Sequence, residues 1–426
     1  MQNTEKQLTI NKQHRRNQMK FNKWTVGLAA VGAISLASAA RADEKMSMVQ
    51  TALSNTTISG YVDVTASWKL GTGDVNLPGR TYDGGVGQPY NQDGFNLNVV
   101  SLTLDKPEDD APWASGYHVQ LLLGDGAQKR GSGILQPTGS RNSLAFNEAY
   151  IALRVPVGNG IDFHVGQFGT YNGYEAYDTF KDPNYSRSYG FFIESSAHTG
   201  ISATYAFTPA VTLMAGVADA AGFNNQVDAQ STIESKKAYL TMLTLTAPDS
   251  WGFLKGATLS GGYTVGEAQV APIAAGANIW NQGNIYAGAS IPLPVTGLSL
   301  GLAYDYTYGL PANGVNADAS DYANATAVYL TYSTGNWTFA NRVDYASGTS
   351  GSFGYFTPAA DTKGSDQLAS ETFTVGYAFW KNVITRAEFR WDHALSAGKP
   401  FGGTPTSPAP GDKNALSVAL EAIYQF

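Results

Sequence analysis

The sequence predicts an all-β fold, a transmembrane antiparallel β-barrel of about sixteen strands, and three observations predict it. Hydropathy alternates with period two in segment after segment, the connections between segments alternate long and short, and an export signal precedes them all. The export signal comes first in the chain. Met19 to Ala42 reads MKFNKWTVGLAAVGAISLASAARA, with Lys20 and Lys23 as a positive start and Thr25 to Ala40 as a small-residue apolar stretch. Ala40-Arg41-Ala42 then offers small residues at −3 and −1, the layout of a secretory signal peptide. The stretch is shorter than the roughly 20 apolar residues of a spanning helix. Residues 1–42 are read as the signal, with 1–18 either a long n-region or upstream of a true start at Met19. Residues 43–56 form a short periplasmic N-terminal segment, in which Met46, Val49 and Leu53 recur at helical spacing, and 57–426 form the barrel.

Composition agrees with export into a membrane. Without residues 1–42 the chain keeps 20 Lys+Arg against 33 Asp+Glu, a net charge of −13. That acidity argues against a nucleic-acid partner and favours cations in any pore it lines. There is no cysteine, so neither a disulfide framework nor a thiolate metal site is available. Charged residues are only 14%, below the roughly 25% of a soluble chain. No second long apolar run accounts for this, so the apolar residues must be spread by alternation.

The alternation is explicit. Ser59, Tyr61, Asp63, Thr65, Ser67 and Lys69 share one face of their segment, while Val62, Val64, Ala66, Trp68 and Leu70 share the other. Arg386, Glu388, Arg390 and Asp392 alternate with Ala387, Phe389 and Trp391, and Ser417, Ala419 and Glu421 with Val418, Leu420 and Ala422. Successive strand side chains point to opposite faces, so each segment has a polar and an apolar side. Sixteen such segments start near residues 57, 95, 114, 144, 160, 198, 210, 236, 256, 283, 297, 322, 336, 370, 383 and 414. In the second, apolarity moves from Phe95, Leu97 and Val99 to Val100, Leu102 and Leu104, a shift that a bulge would explain.

The long connections are 71–94, 126–143, 169–197, 220–235, 267–282, 309–321, 348–369 and 396–413. Between them lie compact links such as 157–159, 208–209, 335–336 and 380–382, with 106–113 and 248–255 slightly longer. Long loops outside and short turns in the periplasm describe a bacterial outer-membrane barrel, and an even strand count places both termini in the periplasm. Trp113, Trp251, Trp337 and Trp380 all fall at short turns, where amphipathic rings form a girdle at the membrane boundary. Tyr424 and the terminal Phe426 extend that girdle on the last strand.

Catalytic constellations are scarce. After the signal, only His118, His164, His198 and His393 remain, no two at metal-ligand spacing, and no HExxH, CxxC or GxSxG occurs. Gly71-Thr72-Gly73 and Gly402-Gly403 precede no helix, so neither is a phosphate cradle. No enzyme, metal or cofactor is expected. Glu148, Arg154, Arg342, Asp344, Arg386, Glu388, Arg390, Asp392 and Glu421 sit on polar faces and are the pore-lining candidates. Charge facing lipid is costly, so these residues should point inward, to set selectivity or to brace the wall in pairs.

The third long connection, 169–197, holds five tyrosines and several charges, more than a surface loop needs. It is the candidate constriction loop, with Tyr171, Tyr174, Glu175, Tyr177, Asp178, Lys181 and Arg187 as candidate filter groups. The block Val165 to Gly200, VGQFGTYNGYEAYDTFKDPNYSRSYGFFIESSAHTG, resembles the signature region of the OmpL-like family of β-barrel porins. Asn147-Glu-Ala-Tyr150, Val155-Pro-Val-Gly-Asn-Gly160 and Arg386-Ala-Glu-Phe-Arg390-Trp-Asp392 resemble it as well. The resemblance spans most of the chain after the signal, with the central block its specific part. It implies an outer-membrane barrel with channel activity and little about the solute.

The sequence is thus read as a porin for passive diffusion of ions and small hydrophilic solutes. Its expected partners are outer-membrane lipid and lipopolysaccharide, the barrel assembly machinery that reads the C-terminal Phe, and, by analogy with general porins, two further copies in a homotrimer. The rival readings are a sugar- or oligomer-specific channel and a non-conducting anchor or adhesin.

Overall fold

A computed structural model describes residues 56–71, 93–128, 133–135, 144–221, 236–270, 278–309, 321–349, 365–403 and 411–426. The signal, all of the 43–56 segment but Thr56, and the loop stretches 72–92 and 350–364 lie outside the described residues.

Among the described residues, sixteen antiparallel strands form the wall. They are β1 (Thr57–Lys69), β2 (Gly94–Lys106), β3 (Ser115–Leu123), β4 (Leu144–Val155), β5 (Ile161–Gly169), β6 (Ala197–Thr208), β7 (Val211–Ala218) and β8 (Ala238–Thr246), followed by β9 (Thr258–Val270), β10 (Asn278–Pro292), β11 (Leu298–Tyr308), β12 (Tyr322–Thr334), β13 (Trp337–Thr349), β14 (Ser365–Tyr377), β15 (Val383–Ala394) and β16 (Asn414–Gln425). A further three-residue strand, Gly133–Leu135, pairs with the start of β4. Each wall strand pairs with its sequence neighbours, and β1 pairs with β16 from Tyr61↔Gln425 to Lys69↔Ser417, which closes the barrel. Gly60 and Phe426 finish that seam by exchanging both backbone hydrogen bonds at 3.0 Å. Closure gives every described wall strand a partner on each side, the condition for crossing hydrocarbon.

The period of two becomes two surfaces. Along β15 the side chains of Arg386, Glu388, Arg390 and Asp392 are buried, whereas Ala387, Phe389 and Trp391 are exposed. The apolar series is the outside of the barrel and the polar series faces the lumen. The shift along β2 is a bulge. Asp63 pairs with Val99 and Val64 with Leu97, leaving Asn98 without an opposite residue and turning both Asn98 and Val99 away from solvent. A second bulge lies in β4, where Gln120 pairs with Glu148 and Leu121 with Phe146, leaving Asn147 extra. The turn between β12 and β13 is the two-residue Gly335-Asn336, and Gly335 at φ 58° supplies the positive φ that such hairpins need.

At the short-turn end, Trp113, Trp251, Trp337, Trp380, Tyr424 and Phe426 are all exposed on the outside, joined by Phe207, Phe253 and Phe379. The lumen holds the core. Residues 170–196, between β5 and β6, fold inward and carry a single 3₁₀ turn, Thr179–Lys181, and a short helix. With α1 (Asp125–Gln128) in the preceding long connection, this helix is α2 (Tyr189–Ile193). Three apolar clusters form around loop tyrosines. Tyr174 packs with Met214, Met242, Tyr286 and Tyr329, Tyr185 with Tyr61, Val99, Leu122 and Ile423, and Tyr189 with Ala346, Leu368 and Phe401. The loop fills the barrel as side chains fill the centre of a soluble domain.

Candidate functional site

The inward loop first holds itself together. Arg187 is fully buried, bridges Asp182 at 3.1 Å, and donates to the carbonyls of Ala176, Tyr177, Asn184 and Tyr185. Its guanidinium lies 5.5 Å from the Phe191 ring centroid. Ser188 caps α2 by accepting from the Phe191 N–H, and Glu175 accepts from both the N–H and the hydroxyl of Ser188 at 2.8 and 2.7 Å. All of these donors stay inside the loop, so Arg187 does not face water.

The wall then binds the loop by its backbone. Arg342 donates from Nη1 to Glu175 at 2.9 Å, from Nη2 to the Arg187 carbonyl at 3.1 Å, and from Nε to Asp344 at 3.2 Å. Arg386 pairs with Glu421 at 2.6 Å and donates to the carbonyls of Thr179, Asp182 and Asn184. Arg390 pairs with Asp392 at 2.7 Å and donates to the Arg187 carbonyl. The acids read the amide groups. Glu388 accepts from Tyr185 N and Ser186 N at 2.7 and 3.0 Å, and Asp344 accepts from Tyr189 N at 3.2 Å. The Tyr189 hydroxyl donates to Asp392 at 2.8 Å. Buried charges are stable only when paired and hydrogen-bonded, and here the loop backbone completes the set. The polar-face residues of β13, β15 and β16 therefore meet protein rather than open water.

The opposite limb is docked on β1–β3. Tyr61 and Gln120 donate to Asp178 at 2.9 and 3.0 Å, and Thr179 donates to Asp63 at 2.8 Å. Burial pushes the Asp178 carboxyl up, but Lys181 at 2.8 Å and those two donors outweigh it and hold it below its usual value. The Asp178 charge in turn raises Lys181. The Tyr177 hydroxyl donates to the Gly126 carbonyl at 2.5 Å, tying the loop to α1. Asn172 reaches across to Thr264 and Asn284 at 3.2 and 3.0 Å, and Tyr174 stacks on Tyr329 with ring centroids 4.3 Å apart. Where the loop returns, burial first and then the Asp305 carboxyl bonded to it raise Glu194 well above the usual carboxylate range.

One stretch of lumen wall stays wet. Side-chain exposure is 20% for His118, 29% for Glu148, 36% for Asp105 and 48% for Lys181. His118 lies between Asp105 at 2.9 Å and Glu148 at 3.8 Å. Tyr150 stacks on His118 and His164 with centroid distances of 5.3 and 4.1 Å, and the Tyr171 hydroxyl meets His164 Nδ1 at 3.3 Å. The bulge at Asn147 rephases β4 here, bringing Glu148 and Tyr150 onto the lumen face. Below this patch Arg154 bridges Asp162 and binds the Asn159 carbonyl at 2.8 Å, and Glu108 in the adjoining turn is raised to about 8 by burial and the neighbouring Asp162 charge.

The sequence singled out the charged faces and the loop. It did not single out Asp63, Asn98, Gln120, Asp182, Tyr189, Glu194 or Asp305, nor the partly exposed Asp105, His118, Tyr150 and His164. The phase shift in β2 was the available signal for Asn98, and an equivalent shift between Phe146 and Ala149 marked the second bulge.

Comparison with known proteins places this architecture. The fold is similar to the outer-membrane channel DcaP of Acinetobacter baumannii, with a TM-score of 0.59 at 12% identity over 89% of this chain and 100% of that one. It is similar to the anion-selective porin from Comamonas acidovorans, with a TM-score of 0.55 at 12% identity over 87% and 99% of the two chains. It is also similar to the trimer form of OmpT from Vibrio cholerae, with a TM-score of 0.52 at 12% identity over 87% and 99%. No curated protein matches the sequence. The family model described as "Putative beta-barrel porin-2, OmpL-like" matches residues 55–426. The chain belongs to that family and is a porin-like β-barrel channel of the outer membrane, not an enzyme.

Proposed function

We propose that this porin passes small hydrophilic solutes and ions by passive diffusion, with a preference for cations, along the lumen wall of β2–β5. The observation that carries this reading is the division of the lumen charges. Arg342, Arg386, Arg390, Asp344, Glu388, Asp392 and Glu421 are buried in holding the inward loop or one another, so their role is anchorage. Asp105 and Glu148 keep contact with water on either side of His118, while Lys181 is already paired with Asp178. Carboxylates in excess along a wet path raise the local concentration of cations. Arg154 is neutralised by Asp162, and Tyr171, Tyr174, Glu175, Tyr177, Asp178 and Arg187 shape the loop that narrows the path.

The exposed aromatic band at the short-turn end is the periplasmic girdle in this reading. The band supports both termini lying in the periplasm, with the long loops against lipopolysaccharide and Phe426 where the assembly machinery meets the last strand. One form of Vibrio cholerae OmpT is a trimer, and a homo-oligomer is proposed here also.

The test is conductance of the refolded, heat-modifiable protein in a planar bilayer under a salt gradient. Stable open steps with a cation-biased reversal potential support the reading. Anion bias would overturn the assignment of the acidic path, and folded barrels without conductance would overturn diffusion itself.

A further inference from the structure

Glu148 is a lumen carboxylate to which no described residue gives a hydrogen bond. Elsewhere on the lumen wall, Glu388 accepts from Tyr185 N, Ser186 N and the Thr374 hydroxyl. The ion-pair contact of Glu148 is His118 Nε2 at 3.8 Å, too long for a hydrogen bond. Gly169, at the end of β5, gives the carboxylate its room, since a Cβ there would stand 2.6 Å from Oε1. The other ring nitrogen of His118, Nδ1, lies 2.9 Å from Asp105, its cross-strand partner. With Nδ1–H donating to Asp105, the neutral ring turns the Nε2 lone pair towards Glu148. Two acceptors then stand 3.8 Å apart, within reach of water, and a donor placed between them serves both. Tyr150, stacked on the imidazole at 5.3 Å, holds the plane of the ring.

We propose that Glu148 and His118 Nε2 form a subsite for the primary ammonium group of a small organic amine in transit. Such a group brings a charge for the carboxylate and N–H donors for both acceptors, which a quaternary ammonium ion lacks. A metal ion fits less well, because an imidazole–carboxylate site takes about four ligands. No group of three such ligands occurs among the described residues. The Lys181 charge acts on Glu148 and His118 alike, so the hold stays weak enough for release, as conduction needs. Protonation of His118 fills the gap with a proton of its own, so proton and amine compete. The groups that face the ring are Asp105 on β2, Glu148 and Tyr150 on β4 and Lys181 on the loop, with His164 on β5 beyond Tyr150. The proposal rests on the cation path above and names what that path selects.

The experiment compares n-butylammonium with butyltrimethylammonium, equal in charge and chain but without N–H, as blockers of the potassium current at pH 8. n-Butylammonium is expected to interrupt it at about tenfold lower concentration, the worth of a charge-assisted hydrogen bond. That difference is expected to vanish at pH 5 and in Glu148→Gln. Equal block by both ions in a cation-selective channel overturns the subsite and leaves the path, whereas anion bias overturns the path. A second measurement needs no current: carbethoxylation of His118 by diethyl pyrocarbonate, read by peptide mass spectrometry against the exposed His393. Protection of His118 by n-butylammonium alone is expected at pH 8. Protection by neither ion, or by both equally, overturns the subsite whether or not the barrel conducts.

Discussion

Replacing Arg342 with methionine keeps the length of the side chain and removes its charge from the point where wall and loop are most tightly joined. In the native protein Arg342 is fully buried and bridges two buried carboxylates, Glu175 at 2.9 Å and Asp344 at 3.2 Å. Removing one partner of a buried ion pair costs about 3–5 kcal/mol, because the abandoned charge stays desolvated. Asp344 keeps the Tyr189 N–H and the Ser370 hydroxyl as donors, and Glu175 keeps Ser188, so the loss belongs near the low end. At about 1.4 kcal/mol per decade, the docked loop loses roughly a hundredfold or more in population against the undocked one. The backbone ladder of β13 is untouched, so the barrel stays folded. The assay uses Ile193→Cys in this cysteine-free chain, because Ile193 is buried in the loop helix and makes no side-chain hydrogen bond. Thiol modification at that site should accelerate by the same factor in the Arg342→Met background, with larger and noisier single-channel steps. An unchanged modification rate in a heat-modifiable barrel would refute the view that the wall charges exist to hold the loop.

Three other outcomes follow from the same geometry. Lys181→Met removes a half-exposed cation from the wet path; an interaction of about 1 kcal/mol at 4 Å in water corresponds to roughly a fivefold rise in the cation-to-anion permeability ratio, read from the reversal potential. Glu194 holds its proton well above the usual range when the loop is docked, so docking is strongest at acid pH and weakens as pH rises through the raised value. Modification of Ile193→Cys should therefore quicken as pH climbs above the ordinary carboxylate range, beyond the rise that thiol ionisation alone produces, and Glu194→Gln should remove that extra rise. Glu108, raised to about 8 beside Asp162, makes the fold less stable as pH climbs from the ordinary carboxylate range towards 8. Glu108→Gln should narrow the gap between urea midpoints measured at pH 6 and pH 9, and an unchanged gap would assign the slope to other groups.

The wall was legible because strand periodicity is local. Every strand start read from hydropathy lies within a few residues of the observed one, with the largest differences at β10 and β14, which begin at Asn278 and Ser365. The inward-folded loop was legible from its tyrosines, three of which become the centres of the lumen clusters. The partners of the charges were not legible. Arg386 binds carbonyls about half the chain away, at Thr179 and Asn184, and no spacing rule links residues 207 and 202 apart. A polar face in a sequence shows only that a side chain turns inward; whether it meets water or a folded-in loop is decided by three-dimensional packing.

The loop that fills the lumen also constrains the order in which the molecule is assembled. It leaves the wall after β5, yet its backbone is held by groups on β13 to β16. Those strands are the last to be made, and the barrel closes only when β16 finds β1. A loop bound on both limbs, to Asp63 and Gln120 on one side and to Arg342 and Glu388 on the other, fits most readily into a sheet that is still open. Its full set of anchors is complete only when the first and the last strands are both in the sheet. Contacts of such long range make folding slow, and the late pairing of arginines with loop carbonyls gives the final closure a template to form against.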